Sequence, residues 1–333
     1  MSASPRSPVG GPTAAAPPAK RAAWLRRWWP WGVGLVILVV VGTRVPVEAF
    51  RDAIGHGPHV LLAAVTLAVT FAVLCTDSLS TWIGLAALGL RRPLSRVFVI
   101  RGATYALFVI NYAVGQGAFG FYLNRTGVPG LRAVGVTLFL IGTNLATLLV
   151  VTTLAWTSQG SDPAHARLWW TLVLGCLAFL VYLAIIFASP RFVARRQVLA
   201  PLFEAGLKGH AIAMVGRIPH VAVIVLGHWT SMRAWGIAVP LSAGLTLMPA
   251  VVIASVLPIS PAGLGTTQAA LVYFFSDFAV GATADARGAH VLAFAVVYFV
   301  YSVATSLLVG LTCTPFAKRL GLLSTEKPAA ART

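Results

Sequence analysis

The chain has 333 residues, 58% of them hydrophobic and only 10% charged. No soluble domain of this length hides so much apolar surface, so the composition excludes an ordinary soluble globule and points to a polytopic membrane protein. Charge is lopsided, with 25 Lys+Arg against 8 Asp+Glu and a net charge of +17. The basic residues sit in short clusters between apolar spans, as orientation signals and anionic-lipid contacts do, which argues against a nucleic-acid partner.

Residues 1–22 open with "MSASPRSPVGGPTAAAPPAK", a Pro/Ala/Gly/Ser-rich run expected to be disordered and cytoplasmic. A transmembrane domain is expected over 23–315 and a short cytoplasmic tail over 316–333. A crossing helix needs about 20 apolar residues. Such spans are read near 28–44, 59–84, 133–156, 168–189, 210–229 and 289–313. No small-x-small cleavage site follows the first, and Trp24, Trp28 and Trp29 flank it, so it reads as an uncleaved first helix.

Two apolar stretches, 97–121 and 236–280, are decided by charge. Lys20, Arg21, Arg26 and Arg27 place the N-terminus in the cytoplasm, and Arg91, Arg92, Arg96 and Arg101 form a second inside cluster. Arg191, Arg195, Arg196 and Lys208 form another, as do Lys318, Arg319, Lys327 and Arg332 at the C-terminus. The segment "TSQGSDPAHA", edged by Trp156 and Trp169, has almost no positive charge and reads as outside. If 97–121 crossed, the Arg191–Lys208 cluster would fall outside; a segment that dips in and returns keeps every cluster inside. The same arithmetic makes 236–280 a dip from the outer face.

Both stretches carry a backbone break. "AVGQGAFGFYL" holds Gly115, Gly117 and Gly120 beside Asn111 and Gln116; "PAGLGTTQAALVYF" holds Gly263 and Gly265 ahead of Gln268. Irregular backbone at membrane depth is tolerated only where protein or a wet cavity satisfies it. Interrupted segments in matching positions of oppositely oriented halves point to a transporter's substrate site. Chance recurrence of Gly-x-Gly in a chain with 31 glycines is the plain alternative. The expected fold is therefore all-α, with about six transmembrane helices, two re-entrant helical hairpins and an inverted repeat as the relation between the halves.

Charged residues inside spans are costly and mark either function or pairing. Arg217, halfway along "KGHAIAMVGRIPHVAVIVLGHW", has two open uses: holding a phosphate through paired hydrogen bonds, or satisfying itself on backbone carbonyls or at an interface. At ~100° per residue His210, Arg217 and His228 share one line, with His220 some 80° away. Asp77, in "LCTDSLSTW", can pair with Arg217 or Arg101 or take a coupling proton. Gln268 can bond a headgroup or cap the half-helix that follows it. The Ser and Thr residues are expected to bond their own preceding turns. Cys75, Cys176 and Cys313 lie in apolar segments without CxxC spacing, so packing is expected and neither disulfide nor metal. No nucleotide fingerprint, acidic metal pair or Ser/His/Asp arrangement is present in the sequence, so no cofactor, no metal site, no catalytic residue and no enzymatic activity are expected.

At "LPISPAGLGTTQAALVYFF" the chain resembles the membrane region of lysylphosphatidylglycerol synthases and the related stand-alone flippase-like integral membrane proteins; "VGQGAFGFYLNRTGVPG" and the central basic loop suit the same family. The likeness extends over roughly 30–315. It implies a bacterial inner-membrane protein with paired re-entrant segments that moves aminoacylated or other phospholipids between leaflets; the charge clusters place both termini in the cytoplasm. Taken with the breaks and buried polar groups read above, the expected site residues are Arg217, Asp77, Asn111, Gln116, Gly117, Gly263, Gly265 and Gln268, and the expected partners anionic phospholipids. Two departures narrow this. Gln268 stands where the family often has a Glu, and no soluble aminoacyl-transferase segment is seen, so lipid synthesis is not expected. The rival reading is a non-transporting scaffold whose basic loops hold a separate lipid-modifying enzyme.

Overall fold

The computed structural model describes residues 20–158, 168–256 and 260–323. Apart from 20–22, the segment expected to be disordered lies outside the described residues, as do 159–167 of the outer loop, 257–259 of the second break and 324–333 of the tail.

Twelve α-helices follow one another, with no strand among the described residues: α1 (Lys20–Gly42), α2 (Val47–Gly55), α3 (His59–Ala87), α4 (Leu94–Phe108), α5 (Tyr112–Arg125), α6 (Gly130–Thr157), α7 (Trp169–Ala188), α8 (Arg191–Ala194), α9 (Ala200–Ala234), α10 (Leu241–Val256), α11 (Thr266–Phe275) and α12 (Ala284–Arg319). Five of them, α3, α6, α7, α9 and α12, are long and apolar enough to cross a bilayer. A sixth candidate is Trp31–Gly42 together with α2, bent by 102°. The bend falls at Pro46, the N-cap of α2, because proline disfavours helical backbone in the residue before it. Phe71, Leu154, Trp170, Leu174, Phe187 and Leu311 are turned outward, a surface suited to hydrocarbon rather than water. The chain is an all-α polytopic membrane protein.

Six expected spans fall on α1, α3, α6, α7, α9 and α12. Two run longer than read from hydropathy. The α9 helix starts ten residues before 210, after taking in a break at Gly206 (φ 56°), and α12 runs to Arg319, four residues into the expected tail. Hydropathy windows stop where charge begins, whereas helix hydrogen bonding does not.

Close helix contacts rest on small residues, which let backbones approach where no hydrophobic drive separates helix from lipid. Gly209, Gly216 and Gly227 of α9 lie against Ala87, Ile83 and Val69 of α3, so these two helices are antiparallel. Likewise Gly102 of α4 meets Cys313 and Gly310 of α12 meets Ala106, a second antiparallel pair. Intrahelical Ser and Thr bond their own preceding turns, as in Thr66 to the Leu62 carbonyl (2.7 Å) and Thr152 to that of Leu148 (2.7 Å).

The two broken segments are helical hairpins. Helix α4 has 15 residues and α5 has 14, about 22 Å each at 1.5 Å per residue; α10 has 16 and α11 has 10. Each arm falls short of the ~30 Å hydrocarbon core. Hairpin α4–α5 leaves the C-terminal end of α3, and α10–α11 leaves the C-terminal end of α9. Because α3 and α9 are antiparallel, the hairpins enter the bundle from opposite ends. The Ala238 N–H donates to the Phe278 carbonyl (3.0 Å) and closes the mouth of the second. Each hairpin carries its own apolar core. One gathers Leu85, Val97, Phe119, Val136 and Leu140; the other gathers Val225, Leu247, Val251, Leu271 and Phe294.

Candidate functional site

Between the two cores lies an ion cluster. Asp77 is on α3, where "TDSLST" supplies the small polar residues that let α9 approach: Ser80 donates to the Gly216 carbonyl (2.8 Å). One residue on, Arg217 Nη1 donates to Asp77 Oδ1 (2.7 Å), and its Nη2 reaches Thr81 Oγ1 (3.4 Å). Thr81 lies four residues after Asp77 and so shares its helix face. From α4, Arg101 Nε donates to Asp77 Oδ2 (2.6 Å), and its Nη2 bonds the same oxygen. Phe108 and Phe119 hold the Arg101 guanidinium at 5.6 and 5.2 Å from their ring centroids, a cation–π setting. His220 Nε2 stands 3.9 Å from Asp77 Oδ1.

Asp77, Arg101 and Arg217 are 2%, 6% and 4% exposed. Charges so deeply buried persist only when paired, and here one carboxylate faces two guanidinium groups. The cluster therefore carries a net positive charge.

It forms one wall of a cavity of about 310 Å³. Phe108, Val109 and Tyr112 at the first hairpin's tip line it, and Ser255, Val256 and Ala262 line it from the second break. Most of the remaining wall is apolar, from Val73, Leu140, Ile224, Val252, Phe299 and Val303, with Asn144, Gln116, Ser302 and Ser306 as neutral hydrogen-bonding groups. Each hairpin brings the C-terminal end of one arm and the N-terminal end of the other to its break. Their opposed dipoles offset each other, so the field in the cavity is set by the side-chain charges.

Of the eight site residues expected from sequence, Asp77, Arg217 and Gln116 meet on this wall. The others do not. Asn111 caps α5, its Oδ1 accepting from the Ala113 N–H (2.7 Å). Gly117 faces a separate hollow of about 470 Å³ with Gly120, Asn124 and Thr137. Gln268 is 1% exposed, and its Oε1 accepts from the Gly265 N–H (2.6 Å); it caps α11 and does not reach the cavity. The two glycines of this break serve the backbone. Gly263 has φ 74° and would set a Cβ 2.9 Å from Ser255 Cα; Gly265 has φ 81° and abuts the Gly34 carbonyl of α1. Only glycine holds such conformations without strain. Ala262 beside them has φ 47°, a left-handed conformation in a cavity-lining residue, where strain tends to gather.

The shared line of His210, Arg217 and His228 does not become a shared site. His210 bonds Tyr182 (2.6 Å) and His228 bonds the Ile224 carbonyl (2.9 Å); His220 joins Arg217 instead. Two turns of helix separate 210 from 217, about 10 Å along the axis, and the projected line conceals that distance.

Sequence reasoning counted Arg101 as an orientation charge and as one of two alternative partners for Asp77, not as a site residue beside Arg217, and it left out Asn144. Arg101 lies seven residues after the start of α4, about 10 Å along that helix, and this depth was the legible signal. Asn144 is a lone amide within "LFLIGTNLATLL", a costly position in a span. Among the described residues no group of three or more His, Cys, Asp or Glu is placed to hold a metal ion. No protein-family model matches the chain, and no match to a curated protein was found.

Proposed function

We propose that this protein moves phospholipid between the leaflets of a bacterial inner membrane, with the headgroup passing through the cavity and the acyl chains remaining in the bilayer. One observation carries the reading: a net-positive, deeply buried ion cluster faces an otherwise uncharged and mostly apolar chamber at the meeting point of two hairpins that enter from opposite ends. A phosphate supplies the counter-charge, and guanidinium groups bind it through paired hydrogen bonds. Apolar walls suit the glycerol backbone and the first methylenes. Interrupted helices entering from both ends are the architecture from which alternating access is built. The resemblance at "LPISPAGLGTTQAALVYFF" supports the same reading, and the vesicle assay separates it from the scaffold alternative.

The test is translocation of fluorescent phospholipids in proteoliposomes. Transfer above protein-free vesicles is expected, falling at least about tenfold in Arg217→Ala, which removes a charge-assisted phosphate partner. Transfer indistinguishable from empty vesicles across anionic, zwitterionic and cationic headgroups overturns the proposal.

A further inference from the structure

The charge arithmetic of the cavity also discriminates among headgroups. Asp77 is the one acid on its wall, and both carboxylate oxygens are taken, Oδ1 by Arg217 and Oδ2 by Arg101. An ammonium group entering this chamber would lose its water and find no carboxylate free to replace it. It would also meet the cluster's excess positive charge, and protonation of His220 would only add to that excess. A phosphate meets the opposite situation. Arg217 Nε is buried without a hydrogen-bond partner, an unspent donor on a side chain that is 4% exposed. Asn144 Oδ1 on the same wall is an unspent acceptor. A hydroxyl or an ammonium N–H would satisfy it alike, so discrimination against amines rests on the charge of the cluster, and a neutral hydroxyl is the donor that escapes its repulsion. Gln116, Ser302 and Ser306 extend this neutral hydrogen-bonding surface.

We infer that the cavity selects phospholipids whose headgroup is a phosphodiester bearing an uncharged, hydroxylated substituent, and that it rejects headgroups carrying an amine. The inference rests on the translocator reading and narrows it: the aminoacylated lipids that the family resemblance implies are the class this wall disfavours. The shared chemistry, a phosphate ester of a polyol, also occurs in soluble metabolites. The amphiphilic wall favours the lipid, because a soluble ester has nothing to place against Val73, Leu140, Phe299 and Val303.

The experiment measures equilibrium binding to the purified full-length protein in detergent. Its probes are dioctanoyl phosphatidylglycerol, dioctanoyl phosphatidylethanolamine, dioctanoyl lysylphosphatidylglycerol and soluble glycerol 3-phosphate. Phosphatidylglycerol is expected to bind at least about tenfold more tightly than each of the others, one decade in Kd. Equal or tighter binding of either amine-bearing lipid overturns the selectivity, and glycerol 3-phosphate binding as tightly as the lipid overturns the assignment to a lipid. Asn144→Asp adds a carboxylate to the wall at nearly constant shape. It is expected to shrink the preference for phosphatidylglycerol over the amine-bearing lipids to under about threefold; an unchanged preference in a variant that still binds overturns the charge argument. Gln116→Glu applies the same test from α5 of the first hairpin should Asn144→Asp, on α6, fail to fold. Indiscriminate binding with intact transfer in vesicles sinks the selectivity alone, whereas absence of transfer for every headgroup sinks the translocator reading beneath it.

Discussion

Asp77 holds the two halves of the molecule in register through its two oxygens, one committed to α4 and the other to α9. Removing one member of a buried charge set leaves the remainder uncompensated, at a cost of roughly 3–5 kcal/mol. Asp77→Ala strands two guanidinium groups and is expected to lower the thermal midpoint in detergent more than any single change to the cavity's neutral residues. Arg101→Leu in the Asp77→Ala background should recover part of the loss, since fewer unpaired charges then remain. A double variant no more stable than Asp77→Ala would show that the ion cluster does not dominate stability here. Gln268 differs in kind. Its amide satisfies one backbone N–H at the start of α11, so Gln268→Ala should cost about 1–3 kcal/mol, the range for leaving a buried donor unpaired, while the lipid binding proposed for the cavity stays unchanged.

Helix α9 is held by its glycines. A Cβ at Gly216 would stand 2.8 Å from Ile83 Cγ2, whereas nothing approaches within 4 Å of one at Gly142 on α6. Overpacking a tight contact typically costs about 1–3 kcal/mol. Gly216→Leu should therefore lower the melting temperature and, by moving α9 off α3, lengthen the Arg217–Asp77 contact and weaken the transfer proposed above. Gly142→Leu should do neither. Equal melting temperatures for the two variants would refute the close α3–α9 contact. The hairpins obey the same logic, with Gly265 abutting the Gly34 carbonyl of α1, so the first helix props the second break against the bundle.

For the whole molecule, the antiparallel α3–α9 and α4–α12 pairs fix which loops share an end. Arg91, after α3, and Leu320, after α12, lie at one end; Ala282, between α11 and α12, lies at the other. In a cysteine-free background, Arg91→Cys and Leu320→Cys should react with a membrane-impermeant maleimide from one face of the membrane and Ala282→Cys from the opposite face. Clustered basic residues favour the cytoplasm for the first face. Labelling of Arg91→Cys and Ala282→Cys from the same side would break the opposed-hairpin arrangement.

The sequence by itself determined the class, the long helices and the positions of both breaks. Hydropathy over about 20 residues and clusters of like charge are local signals that survive without knowledge of neighbours. It also flagged Asp77 and Arg217, because a charge within an apolar span is costly wherever the chain folds. Only the tertiary structure decided that Arg101 completes the cluster, that Asn144 and His220 share its wall, and that Asn111 and Gln268 are spent on helix caps. These outcomes depend on which helices touch. Here contact is governed by small residues on opposing faces, such as Gly216 against Ile83 and Gly310 against Ala106, whose partners lie more than a hundred residues away and leave no trace in the local pattern.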